Sequence, residues 1–225
     1  MKIALCLSGQ LRSIDLIKDK LLENIIIPNN CDVFCHTWHK YDNSKYYNFY
    51  NPSDNEFAKY GQYCFKNIEK IINHLNPLSF EFECPFILEN TKSMFYSIMK
   101  SNKIMSNYEK YTNKKYDIII RSRWDLLFES KLIIDNIDNI EKNTIYLSFR
   151  PGGCGGVNTC FSYGRSDVMK TYCNLYTEYE HTERIRELCP EGVLLEYLNN
   201  KKIMLKKVDN EYSVIREDGG TIKVN

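Results

Sequence analysis

No stretch of this 225-residue chain approaches the roughly 20 consecutive apolar residues of a membrane-spanning helix. Charge of one sign is not in excess: 30 Lys and Arg stand against 29 Asp and Glu, a formal net charge of +1. Without a basic surplus there is no electrostatic case for general nucleic-acid or anionic-membrane binding. Internal repeats, low-complexity tracts and an obvious linker are also lacking, so one domain over residues 1–225 is expected, long enough to bury a core. The loop Ser8-Gly9-Gln10-Leu11-Arg12-Ser13 has a single glycine and no Lys-Ser/Thr ending. That excludes a P-loop and a GxGxxG fingerprint. The apolar run at Met1 to Gly9 is too short for a signal peptide and reads as a strand, which points to a cytosolic chain. The nine cysteines are odd in number and irregularly spaced, which suits free thiols in a reducing compartment better than a disulfide framework.

What is present is an alternation of strands and helices. Lys2 to Leu7 reads as a strand, and Ile14 to Ile26 carries an apolar helical face with Ser13 as its expected N-cap. Cys31 to Trp38 reads as a second strand, Tyr41 to Tyr63 as a long excursion, and Ser93 to Tyr111 as the longest helix. Tyr116 to Phe128 starts as an Ile-rich buried strand and then carries Arg121, Arg123 and Asp125 on one parity. Thr144 to Phe149 and Thr159 to Tyr163 follow as strands, and Ser166 to Tyr176 and Glu191 to Asn199 as helices. Short strands at Ile203 to Val208, Tyr212 to Arg216 and Thr221 to Val224 close the chain. The pattern predicts an α/β fold with a mainly parallel central sheet flanked by helices, and some antiparallel pairing after residue 130.

In an open parallel sheet, ligands sit beyond the carboxyl ends of the strands. Three strands put polar groups there: Ser8, Gly9, Gln10 and Arg12 from the first; His36, Trp38 and His39 from the second; Arg121, Arg123 and Asp125 from the central one. If these strands are adjacent and parallel, their ends converge. Two cations and a carboxylate at a buried strand end must face each other, a ligand or a metal, because desolvation is costly. A salt-bridged sheet end is the plain alternative. Cys31, Cys35, His36 and His39 invite a zinc reading, but strand geometry puts Cys35 and His36 on opposite faces. Trp38 is either a stacking platform or core packing. Pro151 to Gly156 is the only glycine cluster, either a turn or a loop allowing close approach of a ligand.

With these residues assembled, the chain resembles a nucleotide-sugar-dependent glycosyltransferase of the GT-A type, closest to small transferases of large DNA viruses and of bacterial surface-polysaccharide clusters. The matching pieces are Ile3 to Arg12, Asp32 to Trp38, Tyr116 to Asp125, Phe161 to Asp167, and Pro190-Glu191. The resemblance implies a single GT-A-like domain and a nucleotide-diphosphate-sugar site that includes Ser8, Gly9, Gln10, Arg12, His36, Trp38, Arg121, Arg123 and Arg216. It implies Mn²⁺ or Mg²⁺ held by Asp125, with Glu191 as general base. Gly155, Gly156 and Asn158 would lie beside a glycan or glycoprotein acceptor. The expected compartment is the cytoplasm, that of the host if the source is a virus. One departure matters: Arg123 stands where the family's Asp-x-Asp motif has its first carboxylate. Arginines would then share or take over the grip on the diphosphate. Competing readings are a nucleotide- or glycan-binding module without catalysis, and a sulfotransferase.

Overall fold

The computed structural model describes residues 1–11, 13–38, 68–83, 90–149, 157–179, 189–208, 210–215 and 220–224. The Tyr41 to Tyr63 excursion, the Pro151 to Gly156 cluster, Arg12, His39 and Arg216 lie outside them.

Two sheets organise the chain. Strands β1 (Ile3–Gly9), β2 (Asp32–Trp38), β3 (Ser79–Glu83), β4 (Ile118–Arg123), β6 (Thr144–Phe149), β7 (Val157–Arg165) and β8 (Met204–Lys207) form a seven-stranded sheet in the order β3-β2-β1-β4-β7-β6-β8. Pairing is parallel from β3 through β4 and again between β6 and β8, and β7 runs antiparallel to both of its neighbours. Strands β5 (Leu126–Phe128), β9 (Tyr212–Ile215) and β10 (Thr221–Val224) make a three-stranded antiparallel sheet. This is the expected mixed α/β architecture with a mostly parallel central sheet.

The central strands are apolar on both sides because both sides are covered. Ile3, Leu5, Leu7, Ile118 and Ile120 pack in one core with Ile14, Ile17 and Leu21 of α1 (Ile14–Leu21), below the small sheet. Ala4, Cys6 and Ile119 face the other core, with Phe95, Ile98 and Met105 of α2 (Asn90–Thr112). That second core extends to α3 (Ser166–Cys173), α4 (Leu175–Tyr179) and α5 (Pro190–Asn200). Each buried Leu or Ile contributes about 1.5–3 kcal/mol. Residues 68–75 are also helical, and Ile71 and Leu75 join the first core.

Several local expectations are corrected. Ser13 has φ 50° and makes no side-chain cap; its hydroxyl reaches the Ile215 carbonyl instead. The first helix does not run evenly to Ile26 but widens into a π segment at Leu22–Ile26. There Asn24 donates to the Phe128 carbonyl at 2.7 Å. Asn29, just beyond, holds the Leu132 carbonyl and the Ile134 N–H at 2.8 Å each. The Tyr116 to Phe128 stretch is two strands, separated by a turn at Trp124 and Asp125 that carries the chain from the large sheet into the small one. Cysteine usage also differs: Cys6, Cys31, Cys35, Cys160 and Cys173 are free thiols, but Cys189 is disulfide-bonded.

Candidate functional site

The carboxyl ends of β2, β1 and β4 lie side by side, as the convergence argument requires. Ser8 is in register with His36 on one side and with Arg123 on the other, and His36 is in register with Glu81 of β3. Parallel pairing puts in-register side chains on one face, so His36, Ser8 and Arg123 form a single cross-strand row. The covering helix is α2. Trp38 lies two positions beyond His36, and Asp125 two beyond Arg123.

A hydrogen-bond chain fixes the β1 end of this row. The Gly9 N–H donates to Ser97 Oγ at 2.7 Å, and Ser97 Oγ lies 2.7 Å from His36 Nδ1. The Ser97 hydroxyl has a proton to give and a second lone pair, so it can serve Nδ1 as donor or as acceptor while accepting from Gly9. Nε2 is 3.8 Å from Glu83 Oε2. Glu83 is held in turn by the Tyr96 hydroxyl at 2.8 Å and by Lys100. Burial of His36 outweighs the nearby carboxylate and pushes its pKa down to about 4, so the ring is neutral at pH 7. Thr37 Oγ1 donates to the Gly9 carbonyl at 2.8 Å, and Trp124 Nε1 to the His36 carbonyl at 3.2 Å, tying the three strand ends together. Gly9 has φ +108°, a conformation that favours glycine.

At the β4 end, Arg123 and Asp125 close on each other. Nε donates to Oδ1 at 2.8 Å and Nη2 to Oδ2, a bidentate fork, while Nη1 reaches Cys160 Sγ at 3.3 Å. The Asp125 side chain is 2% exposed and that of Arg123 26%. The salt-bridged strand end is therefore present, and it occupies both oxygens of the carboxylate expected to bind metal. Among the described residues no group of three or more His, Cys, Asp or Glu side chains is arranged to hold a metal ion. The set around Asp125 does not fit Mn²⁺ or Mg²⁺ while the fork is closed.

The other predicted residues are placed unevenly. Ser8 is buried, and its hydroxyl has no partner among the described residues. Gln10 directly follows β1 and is half-buried. Trp38 is 5% exposed and stacked on Tyr96, with ring centroids 5.5 Å apart, so its indole face is engaged by the protein itself. Arg121 is buried one row deeper than Arg123. Asn158 does not face an open loop: it lies buried in β7, its Oδ1 accepting from the Cys160 N–H at 2.7 Å. Glu191 sits half-buried in the first turn of α5, and its carboxylate engages no other described residue. Arg12, Arg216, Gly155 and Gly156 lie outside the described residues.

Sequence reading missed Ser97, Tyr96, Lys100 and Glu83. The spacing of Ser93, Tyr96, Ser97 and Lys100 puts them along one stripe of a helix. A polar stripe on an otherwise core-facing helix was the available signal.

No family model matches the chain, and no curated protein does. Among solved structures it is similar to a glycosyltransferase involved in the glycosylation of the major capsid of PBCV-1. That likeness has a TM-score of 0.46 and 12% identity, over 93% of this chain and 82% of that one. A similarity of this degree carries neither fold nor activity across, and the reading that follows rests on the chain's own residues.

Proposed function

We propose that the protein transfers a sugar from a nucleotide-diphosphate donor to a hydroxyl of a glycan or glycoprotein. The observation that carries this reading is the His36–Ser8–Arg123 row at the carboxyl ends of three adjacent parallel strands. Such ends are where open α/β sheets receive ligands. The unpartnered Ser8 hydroxyl offers the diphosphate a hydrogen bond, and the Arg123 guanidinium offers charge. The sequence resemblance supplies the donor class.

In this reading Arg123 stabilises the departing diphosphate, joined by Arg12 and Arg216. Arg121 contributes charge from beneath rather than contact. His36 and Ser97 hold Gly9, and with it the loop through Gln10, in position for the nucleotide. Trp38 backs that loop. Glu191 serves as the base for the acceptor hydroxyl, and Gly155 and Gly156 serve the acceptor. A divalent ion joins Asp125 only by displacing Arg123.

The test is calorimetric titration with uridine and guanosine diphosphate sugars, followed by assay of donor hydrolysis and of transfer to glycan acceptors. Binding with turnover is expected; absence of binding by every donor overturns the reading. The closed Arg123–Asp125 fork favours a second reading, a nucleotide- or glycan-binding module without catalysis. Donor binding with neither hydrolysis nor transfer would select it.

A further inference from the structure

Cys189 differs from every other described cysteine. Cys6, Cys31, Cys35, Cys160 and Cys173 are free thiols, and burial pushes all five up, Cys31 and Cys173 to about 12. A thiol kept protonated is a poor nucleophile and a poor leaving group. Cys189 is half-buried and is bonded in a disulfide.

Its place in the fold favours release of that sulfur. Cys189 is the N-cap of α5, an 11-residue helix, and its Sγ accepts from the Gly192 N–H at 3.3 Å. The sulfur stands where a Ser or Asp oxygen usually caps, at the positive end of the helix. When a disulfide is attacked, the departing sulfur leaves as a thiolate, and a helix N-terminus stabilises that charge. The Glu191 carboxylate in the same turn opposes this, but the Gly192 N–H contacts the sulfur directly. Nor is α5 held by the bond alone. Val193 and Leu194 are fully buried in the second core, and the Val193 N–H donates to the Cys189 carbonyl at 3.0 Å.

We propose that Cys189 is a redox-modification site, at which a dithiol reductant reversibly opens the disulfide of the folded protein. The first thiolate of the reductant attacks the sulfur bonded to Cys189, and the Cys189 sulfur leaves with the bonding electron pair. The second thiol of the reductant then displaces the attacked sulfur from the mixed disulfide. Two electrons and two protons pass to the protein, and the reductant is left as a disulfide. A disulfide oxidant such as oxidised glutathione runs the exchange backwards. The turn that Cys189 caps carries Glu191, so opening the bond frees the cap beside the proposed base. That consequence rests on the transfer reading; the exchange itself does not.

Alkylation of the native full chain tests this. The protein is treated with graded dithiothreitol, labelled with iodoacetamide without denaturant, and mapped by mass spectrometry. Cys189 should be labelled roughly tenfold faster or more than Cys6, Cys35, Cys160 and Cys173, and oxidised glutathione should restore the bond. Labelling of Cys189 that requires urea overturns the proposal, as does full labelling before any reductant is added. Cys189→Ser keeps an acceptor for the Gly192 N–H and removes the exchange. Sugar transfer by the wild type should change on reduction, and transfer by Cys189→Ser should not. Equal transfer by oxidised and reduced wild type overturns the link to Glu191, whereas the labelling result stands apart from any transfer activity.

Discussion

Arg123 and Asp125 close a bidentate fork: two guanidinium nitrogens meet the two carboxylate oxygens of a side chain that is 2% exposed. The i, i+2 spacing does this because β4 ends between them. Arg123 is the last residue of the strand, and the turn at Trp124 and Asp125 folds the carboxylate back onto its own arginine.

Breaking this fork from one side should be expensive. Arg123→Met strips the buried Asp125 carboxylate of this fork, at a cost of roughly 3 kcal/mol or more. The double variant Arg123→Met/Asp125→Leu should cost clearly less than the sum of the singles. Urea unfolding of the four proteins in the cycle measures this coupling. Additive effects would show that the pair does not stabilise the fold as a unit.

His36 gives the fold a defined acid sensitivity. Its folded pKa of about 4 lies below its ordinary value of 6.5, so the unfolded chain binds the extra proton between those limits. Its contribution is therefore fully present above pH 6.5 and is lost as the pH falls toward 4, amounting to roughly 3 kcal/mol. His36→Gln should flatten this part of the stability–pH profile. An unchanged slope between pH 6.5 and 4 in the variant would assign the acid sensitivity to another group.

Much of this arrangement was legible in the sequence because it depends on period and order. The Ile118 to Ile120 run marked a strand covered on both faces, and strand parity separated Cys35 from His36. The convergence of Ser8, His36 and Arg123 followed from strand–helix alternation alone. What was hidden depends on contacts between residues far apart in the chain. Nothing local in Ser97 announces that it accepts from Gly9, 88 positions away. Nor does the apolar run through Phe128 show that Trp124 and Asp125 form a turn between two sheets. Asn158 read as a loop residue because it follows a glycine cluster, but β7 begins at Val157 and takes it inside.

Ser97 is the joint of the loop-holding chain. Ser97→Ala removes the acceptor from the Gly9 N–H and the partner from His36 Nδ1 together. With the His36 contact buried and the Gly9 contact partly so, the cost should be about 1–3 kcal/mol. Donor affinity should fall with it, whereas Ser97→Thr, which keeps the hydroxyl, should recover most of both. A Ser97→Ala protein with unaltered donor binding would separate the chain from the ligand site.

Gly9→Ala probes the same loop by another route. A Cβ at Gly9 meets nothing within 4 Å, so any cost arises from the backbone, which holds φ at +108°. The expected loss is about 1–2 kcal/mol of stability. If the loop relaxes instead toward negative φ, the Gly9 N–H turns away from Ser97 and stability is partly recovered. Donor affinity then drops more than stability does. Comparing unfolding with donor titration distinguishes the two responses.

The relation of Arg123 to metal gives the sharpest test of the site. While the fork is closed, an ion at Asp125 must compete with a bidentate guanidinium, and two cations cannot share one buried carboxylate at low cost. Donor binding by the wild type should therefore change less than about threefold on chelation with EDTA. Arg123→Ala should reverse this dependence: Asp125 becomes available, and Mn²⁺ or Mg²⁺, which accept carboxylate and phosphate oxygens, should now strengthen donor binding. Asp125→Asn in the Arg123→Ala background should abolish that gain. Titrations with and without Mn²⁺ across the three proteins decide the matter. Strong metal dependence in the wild type would show that the diphosphate opens the fork and that Arg123 gives way to the ion on binding.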